Sequence, residues 1–295
     1  MVIDGLKNFT YDLVIETKCF NLYDTLECGQ CFRWKNINFC DRNNSEFIGV
    51  ICDRVVKIKQ IDKKLYISSN NKNDLEDVIN YYFDLYNNYS KIENYILKID
   101  SNIKKAVNNS SGIHILNQDP FETLISFIIS ANNNIPRIKK SIEEISKRYG
   151  KKVIFENNEY YLFPTINELK NVSIDDFKLC SVGFRDKYIV KTISDIIDRD
   201  ISFICLSKLT NSQLKTVLMS FAGVGPKVAD CVMLFSFGRQ DVFPIDVWIK
   251  RVMEKLYFKK EVSIKLINEY QVANFSSYSG IIQQHLFYNV RNQEI

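Results

Sequence analysis

The sequence predicts an α+β protein: an N-terminal antiparallel β-sheet domain with flanking helices over residues 1–112, followed by an all-helical domain over residues 113–295. Three observations carry this. Short runs between Phe32 and Ser69 alternate apolar and polar residues with period two, the period turns helical from Asp74 onward, and after His114 helical segments follow one another through short connections.

FRWKNINF, EFIGVIC, RVVKIKQI and KLYISS read as strands parted by polar clusters such as Asp41 to Ser45, the layout of an antiparallel meander. DLEDVINYYFDLY and KIENYILKIDSNIKKAV then place apolar side chains at helical spacing. PFETLISFIISA is the next helix, and IPRIKKSIEEISKRYG follows with Pro136 early and Gly150 at its stop. Further helices are expected over 174–180, 184–198, 211–221, 226–237, 246–257 and 276–289. The boundary belongs between about Lys91 and Gln118, with no low-complexity linker or internal repeat.

Bulk properties narrow the function. A length of 295 residues suits about two domains, and 46% hydrophobic with 25% charged residues is globular composition. The net charge of +4 is only mildly basic, so an anionic partner has to be met by a local patch. Apolar runs such as Leu124 to Ala131 are too short to span a bilayer. MVIDGLKNFTYDLV lacks the basic-then-apolar layout of an export signal. A cytosolic protein without membrane attachment is expected, its eight cysteines reduced.

The densest chemistry lies between Phe221 and Arg251. An amphipathic helix, Asn211 to Phe221, meets the turn Ala222-Gly223-Val224-Gly225, and a second helix starts at Pro226. Glycines allow the tight turn, and proline suits the first helical position because its missing N–H has no partner there anyway. Outward-facing N–H groups at such a helix start form a phosphate site, making a helix-hairpin-helix that grips a nucleic-acid backbone without reading sequence. A plain connector between packed helices reads equally well from the turn alone. Lys227 lies in the first turn beside that site, placed to act as a nucleophile toward a sugar carbon or as a phosphate counter-charge. Asp246 opens the next helix after Val242-Phe243-Pro244-Ile245; it reads as an N-cap, and a carboxylate so fixed can also stabilise a sugar cation.

With these residues in place, the chain resembles the 8-oxoguanine DNA glycosylase/AP lyase family of the helix-hairpin-helix superfamily. CGQCFRW (Cys28 to Trp34), NQDPFETLISFIISANNN (Asn117 to Asn134), VGFRDKY (Val182 to Tyr188) and GVGPKVADC (Gly223 to Cys231) match its signature segments in order. The resemblance implies base flipping out of double-stranded DNA containing 8-oxoguanine, attack of Lys227 on C1′, a Schiff base and β-elimination, with Asp246 stabilising the sugar cation. It implies that the Gly29 carbonyl meets the base at N7, that Cys231 and Phe287 sandwich it, and that Gln283 bonds its Watson–Crick edge. Gly223, Val224 and Gly225 would contact phosphate. Asn132 would fill the gap left by the flipped nucleotide, with Arg137, Phe184 and Arg185 near the estranged cytosine. No cofactor is required, a structural cation at the hairpin is allowed, and a cytoplasmic, prokaryotic, monomeric enzyme is expected.

The chain departs from the eukaryotic pattern at three positions. Trp248 stands where those members have a histidine, Val290 replaces an acid near the end, and Phe184 replaces a tyrosine. These changes bear on phosphate contacts and opposite-base selectivity, and imply a weak preference for cytosine. Rival readings are narrower. Cys28-Gly29-Gln30-Cys31 resembles a redox C-x-x-C but precedes a strand-like run. No cysteine follows Cys231, which leaves no ligands there for an iron–sulfur cluster. An alkylpurine glycosylase would usually lack the lysine.

Overall fold

The computed structural model describes residues 11–293; the ends, including most of the MVIDGLKNFTYDLV segment on which the expectation about export rests, lie outside the described residues. Strands β1 (Leu13–Glu16), β2 (Trp34–Asp41), β3 (Asn44–Ile51), β4 (Arg54–Ile61) and β5 (Lys64–Ser69) form one antiparallel sheet in the order β1-β5-β4-β3-β2. Two-residue turns at Cys52-Asp53 and Asp62-Lys63 set the register, with Val50 opposite Val55 and Ile61 opposite Lys64. Cys52 and Asp62 take φ of 49° and 52° there, the left-handed backbone that tight hairpins need. Strand β1 was not expected: four residues are too few for a periodicity to show, and the edge of β5 supplies its pairing.

Helix α1 (Leu22–Glu27) lies between β1 and β2, capped by Asn21. Helix α2 (Leu75–Tyr82) covers the sheet, whose Val56, Ile58, Leu65 and Ile67 share a core with Leu75, Ile79 and Phe83. Helices α3 (Tyr89–Ile96) and α4 (Ser101–Ser110) follow. Their Ile92, Ile96, Ile103 and Val107 share a core with the helices that follow.

That half continues with α5 (Pro120–Ser130), α6 (Ile135–Tyr149), α7 (Ile166–Leu169), α8 (Ile174–Lys178), α9 (Asp186–Asp198), α10 (Phe203–Leu206), α11 (Asn211–Met219), α12 (Pro226–Ser236), α13 (Val247–Met253), α14 (Ile264–Asn274) and α15 (Ser279–Gln293). One hairpin, β6 (Lys152–Phe155) with β7 (Asn158–Tyr161), interrupts the helices; its turn at Glu156-Asn157, φ 47° and 62°, was missed by the all-helical reading. No helix of the described residues is long and apolar enough to cross a membrane.

The segment after α1 reaches into the helical half. The Gln30 side chain is buried; it donates to the His114 carbonyl at 2.8 Å and accepts from the Leu116 N–H at 2.9 Å. Arg33 donates to the Ser146 hydroxyl and the Tyr161 carbonyl. These bonds hold Gly29 against the helical core.

Candidate active site

The hairpin between α11 and α12 is built around its glycines. Gly223 has φ +78°, and a Cβ there would lie 2.9 Å from the Tyr188 ring, so both backbone and packing demand glycine. A Cβ on Gly225 would meet nothing within 4 Å; its open face lets another molecule's backbone approach. Val224 is buried and donates its N–H to the Phe221 carbonyl at 3.2 Å. Helix α12 has Pro226 in its first turn and no side-chain cap, which leaves its leading N–H groups for an anion. Lys215 of α11 and buried Asp230 of α12 pair at 2.7 Å and lock the two helices.

Lys227, half-buried in the first turn of α12, holds Nζ 5.1 Å from the Phe127 ring centroid. One turn further, the Cys231 thiol is buried and pushed up to about 11, burial outweighing the opposing Lys227 charge; it stays protonated at neutral pH. Asp246 caps α13: its Oδ1 accepts from the Ile249 N–H at 2.8 Å. Half-buried itself, it faces the same cavity as Lys227.

The cavity gathers the residues singled out for the base. Gly29, Lys227, Cys231, Asp246, Gln283 and Phe287 line it together, although they come from the segment after α1, from α12, from the start of α13 and from α15. Gln283 is 4% exposed, and its Oε1 has no hydrogen-bond partner among the described residues. A buried acceptor left unpaired is costly, and here it borders a cavity in which a donor could meet it. Phe127, Phe235, Pro244 and Gln284 complete the walls. Phe235 was missed although it lies on the face of Lys227 and Cys231, at positions i, i+4 and i+8 of α12. The cavity volume is about 40 Å³, room for a few waters rather than a base. Phe287 Cε1 lies 3.3 Å from where a Cβ on Gly29 would sit, so the ring stands close against the Gly29 turn.

The remaining positions lie outside the cavity lining. Asn132 is exposed with φ 50° just beyond α5, and Arg137 is exposed in the first turn of α6. Arg185 is buried beside the Asn132 loop. It is 6% exposed, and its guanidinium donates to the carbonyls of Val182 at 3.0 Å, Ala131 at 2.9 Å and Asn132 at 3.0 Å. Burial and the nearby Arg137 charge pull its pKa below the usual guanidinium value. These bonds tie the guanidinium to the Asn132 loop. Phe184 is 53% exposed and stacks on Arg185 at 4.3 Å. Trp248 is 50% exposed with Arg251 5.6 Å from its ring, and Val290 packs into the helical core.

Cys28 and Cys31 are buried thiols, both raised by burial, Cys28 to about 12. Such thiols do not ionise readily, and the redox reading of C-x-x-C has no support.

A lysine beside an uncapped hairpin helix, an aspartate and a carbonyl-bearing glycine from another domain share one cavity. Residues 12–124 match the model of the 8-oxoguanine DNA glycosylase N-terminal domain, and residues 125–272 that of the HhH-GPD superfamily of base excision DNA repair proteins. The chain belongs to the 8-oxoguanine DNA glycosylase family. This glycosylase is 40% identical to MBOgg1, solved in complex with a low-affinity DNA ligand, with a TM-score of 0.91 and 96% of each chain covered. It is also 40% identical to the Clostridium acetobutylicum 8-oxoguanine glycosylase/lyase, solved with double-stranded DNA containing cytosine opposite 8-oxoguanine. There the TM-score is 0.88, covering 97% of this chain and 99% of that one. With N-glycosylase/DNA lyase OGG1 of Arabidopsis thaliana it shares 27% identity over 89% of this chain and 75% of that protein. Gln283 and Phe287 lie beyond both matched segments, on α15.

Proposed function

We propose that this glycosylase excises 8-oxoguanine from double-stranded DNA and then nicks the strand, with Lys227 as nucleophile. The observation that carries this reading is the convergence of Lys227, Asp246, Gly29, Cys231, Gln283 and Phe287 on one cavity. The target nucleotide leaves the stack, since C1′ cannot be reached within it. The Lys227 amine forms a bond to C1′ as the glycosidic bond breaks, and the base departs with its electron pair and takes up a proton. The Asp246 carboxylate stabilises the positive charge that develops on the sugar. The ring-opened imine then loses a C2′ proton, and the bond to the 3′ phosphate oxygen breaks.

Base identity is read by one hydrogen. The oxidised base carries a hydrogen on N7 that can donate to the Gly29 carbonyl, whereas guanine offers a lone pair there that repels it. Cys231 and Phe287 enclose the ring, and the Gln283 amide meets its Watson–Crick edge. Gly223, Val224 and Gly225 hold a backbone phosphate at the open start of α12. Asn132 enters the vacated stack, with Arg137, Phe184, Arg185 and Trp248 on the DNA side, Arg185 also fixing the Asn132 loop.

The chemistry needs no cofactor. A cation between the hairpin carbonyls and phosphate suits the Val224 carbonyl, which accepts no hydrogen bond among the described residues. A monomer acting on DNA in the cytosol of a prokaryote, with weak preference among opposite bases, completes the reading. Borohydride reduction on an 8-oxoguanine duplex is expected to yield a covalent adduct, lost in Lys227→Gln while duplex binding survives. An adduct that persists in this variant overturns the nucleophile.

A further inference from the structure

Helix α15 presents two faces near the cavity, and the proposed function uses one. Gln283 and Phe287 line the cavity. Gln284, Tyr288 and Arg291, spaced i, i+4 and i+7 on the same helix, reach back to α1 and the turn that carries Gly29. Gln284 Nε2 lies 3.2 Å from Cys28 Sγ, the Tyr288 hydroxyl donates to Asp24 Oδ1, and Arg291 Nη1 donates to the Glu27 carbonyl at 2.9 Å.

The Cys28 thiol is the hub of this contact. It donates to the Thr25 carbonyl at 3.1 Å and accepts from Gln284 Nε2 and Gln30 Nε2, both at 3.2 Å. Burial keeps the thiol protonated, so donor and acceptor roles coexist on one sulfur. Gln284 is 2% exposed and Cys28 fully buried. An amide in such a place costs desolvation that an apolar side chain would avoid. What the amide adds is direction. Gly29, at φ +87°, has no side chain to hold it, and its neighbours Cys28 and Gln30 are the ones fixed. A rotation of the backbone there would redirect the carbonyl of Gly29, a residue that lines the cavity.

We infer that Gln284 is a positioning residue whose hydrogen bond to Cys28 aims the Gly29 carbonyl at the base, so that α15 aligns both the amide and the carbonyl that read it. This rests on the proposed role of Gly29. Because Gln284 also borders the cavity, direct contact with the base is the competing arrangement, and the test separates the two.

Equilibrium binding is measured in the Lys227→Gln background with duplexes carrying 8-oxoguanine, guanine or a tetrahydrofuran abasic analogue. Gln284→Leu and Cys28→Ala are each expected to lower the preference for 8-oxoguanine over guanine about tenfold, the scale of one buried hydrogen bond. Affinity for the abasic analogue should be unchanged, the double variant should lose little more than either single one, and Cys28→Ser should keep most of the preference. The inference is overturned if Cys28→Ala is silent, if the two losses multiply, or if abasic affinity falls in parallel. The role of Gly29 is tested separately: 7-deazaguanine, with a C–H in place of the N7 lone pair, should bind better than guanine. Failure there removes the reading of Gly29, whereas failure of the Gln284 and Cys28 variants alone removes only the positioning.

Discussion

Asp246 carries a structural and a proposed chemical role that one isosteric change separates. As N-cap of α13 it accepts from the Ile249 N–H at 2.8 Å, which asparagine can also do, the two being nearly equal as caps. Asp246→Asn is therefore expected to keep native stability within a few tenths of a kcal/mol. Asp246→Ala loses the cap, a cost of about 1 kcal/mol, or roughly 2 °C in melting temperature for a chain of this size. The chemistry behaves differently. A carboxylate about 4 Å from a developing cation contributes on the order of 4 kcal/mol near a protein surface, and neither asparagine nor alanine supplies it. Both variants should excise 8-oxoguanine at least about 100-fold more slowly in single-turnover assays, on the scale of other preorganised electrostatic groups. Thermal melts and single-turnover excision on the same preparations check both parts. The reasoning is refuted if Asp246→Asn melts as low as Asp246→Ala, or if it excises at more than about one tenth of the native rate.

The two hairpin glycines should part company. Gly223→Ala, strained at φ +78° and 2.9 Å from Tyr188, is expected to lower stability by about 1–3 kcal/mol in urea unfolding, whereas Gly225→Val should fold normally yet bind duplex DNA more weakly in a salt titration. Arg185→Lys replaces a guanidinium that serves three backbone carbonyls with an amine that cannot; a loss of about 2–4 kcal/mol, measured by urea unfolding, is expected, together with slower excision as the Asn132 loop loosens. His285 is buried and its pKa lowered to about 3, so between that value and the ordinary one near 6.5 the unfolded chain binds a proton that the native one excludes. Stability is thus lost as pH falls from about 6.5 toward 3, at up to about 1.4 kcal/mol per unit from this residue; urea midpoints at pH 7 and 5 should show it, and His285→Gln should reduce the difference. A protein that gains stability on acidification across that window contradicts the assignment.

What the sequence made legible followed from periodicity and turn chemistry. Strands β2 to β5 alternate along most of their length, and the pairs Lys227/Cys231 and Gln283/Phe287, four apart on their helices, do line one cavity. Elements that depend on distant partners stayed hidden. Strand β1 exists because β5 offers an edge, and α14 has apolar residues too evenly spread for its buried side, Ile267 and Gln271, to stand out. The bonds of Arg185 to the carbonyls of Ala131 and Asn132 stayed hidden for a similar reason, since only the fold brings that loop to the guanidinium. Gln284 escaped because its partner, Cys28, lies on the other side of the chain's length.

The cavity draws Gly29 from the first of the two matched segments and Lys227 and Asp246 from the second. The proposed N7 contact and the proposed bond breaking thereby come from different stretches of polypeptide, whereas Cys231 shares a helix with Lys227. A substitution in the turn that carries Gly29 would thus touch the proposed N7 contact and leave Lys227 and Asp246 in place, while one at Cys231 would disturb the helix that bears the lysine.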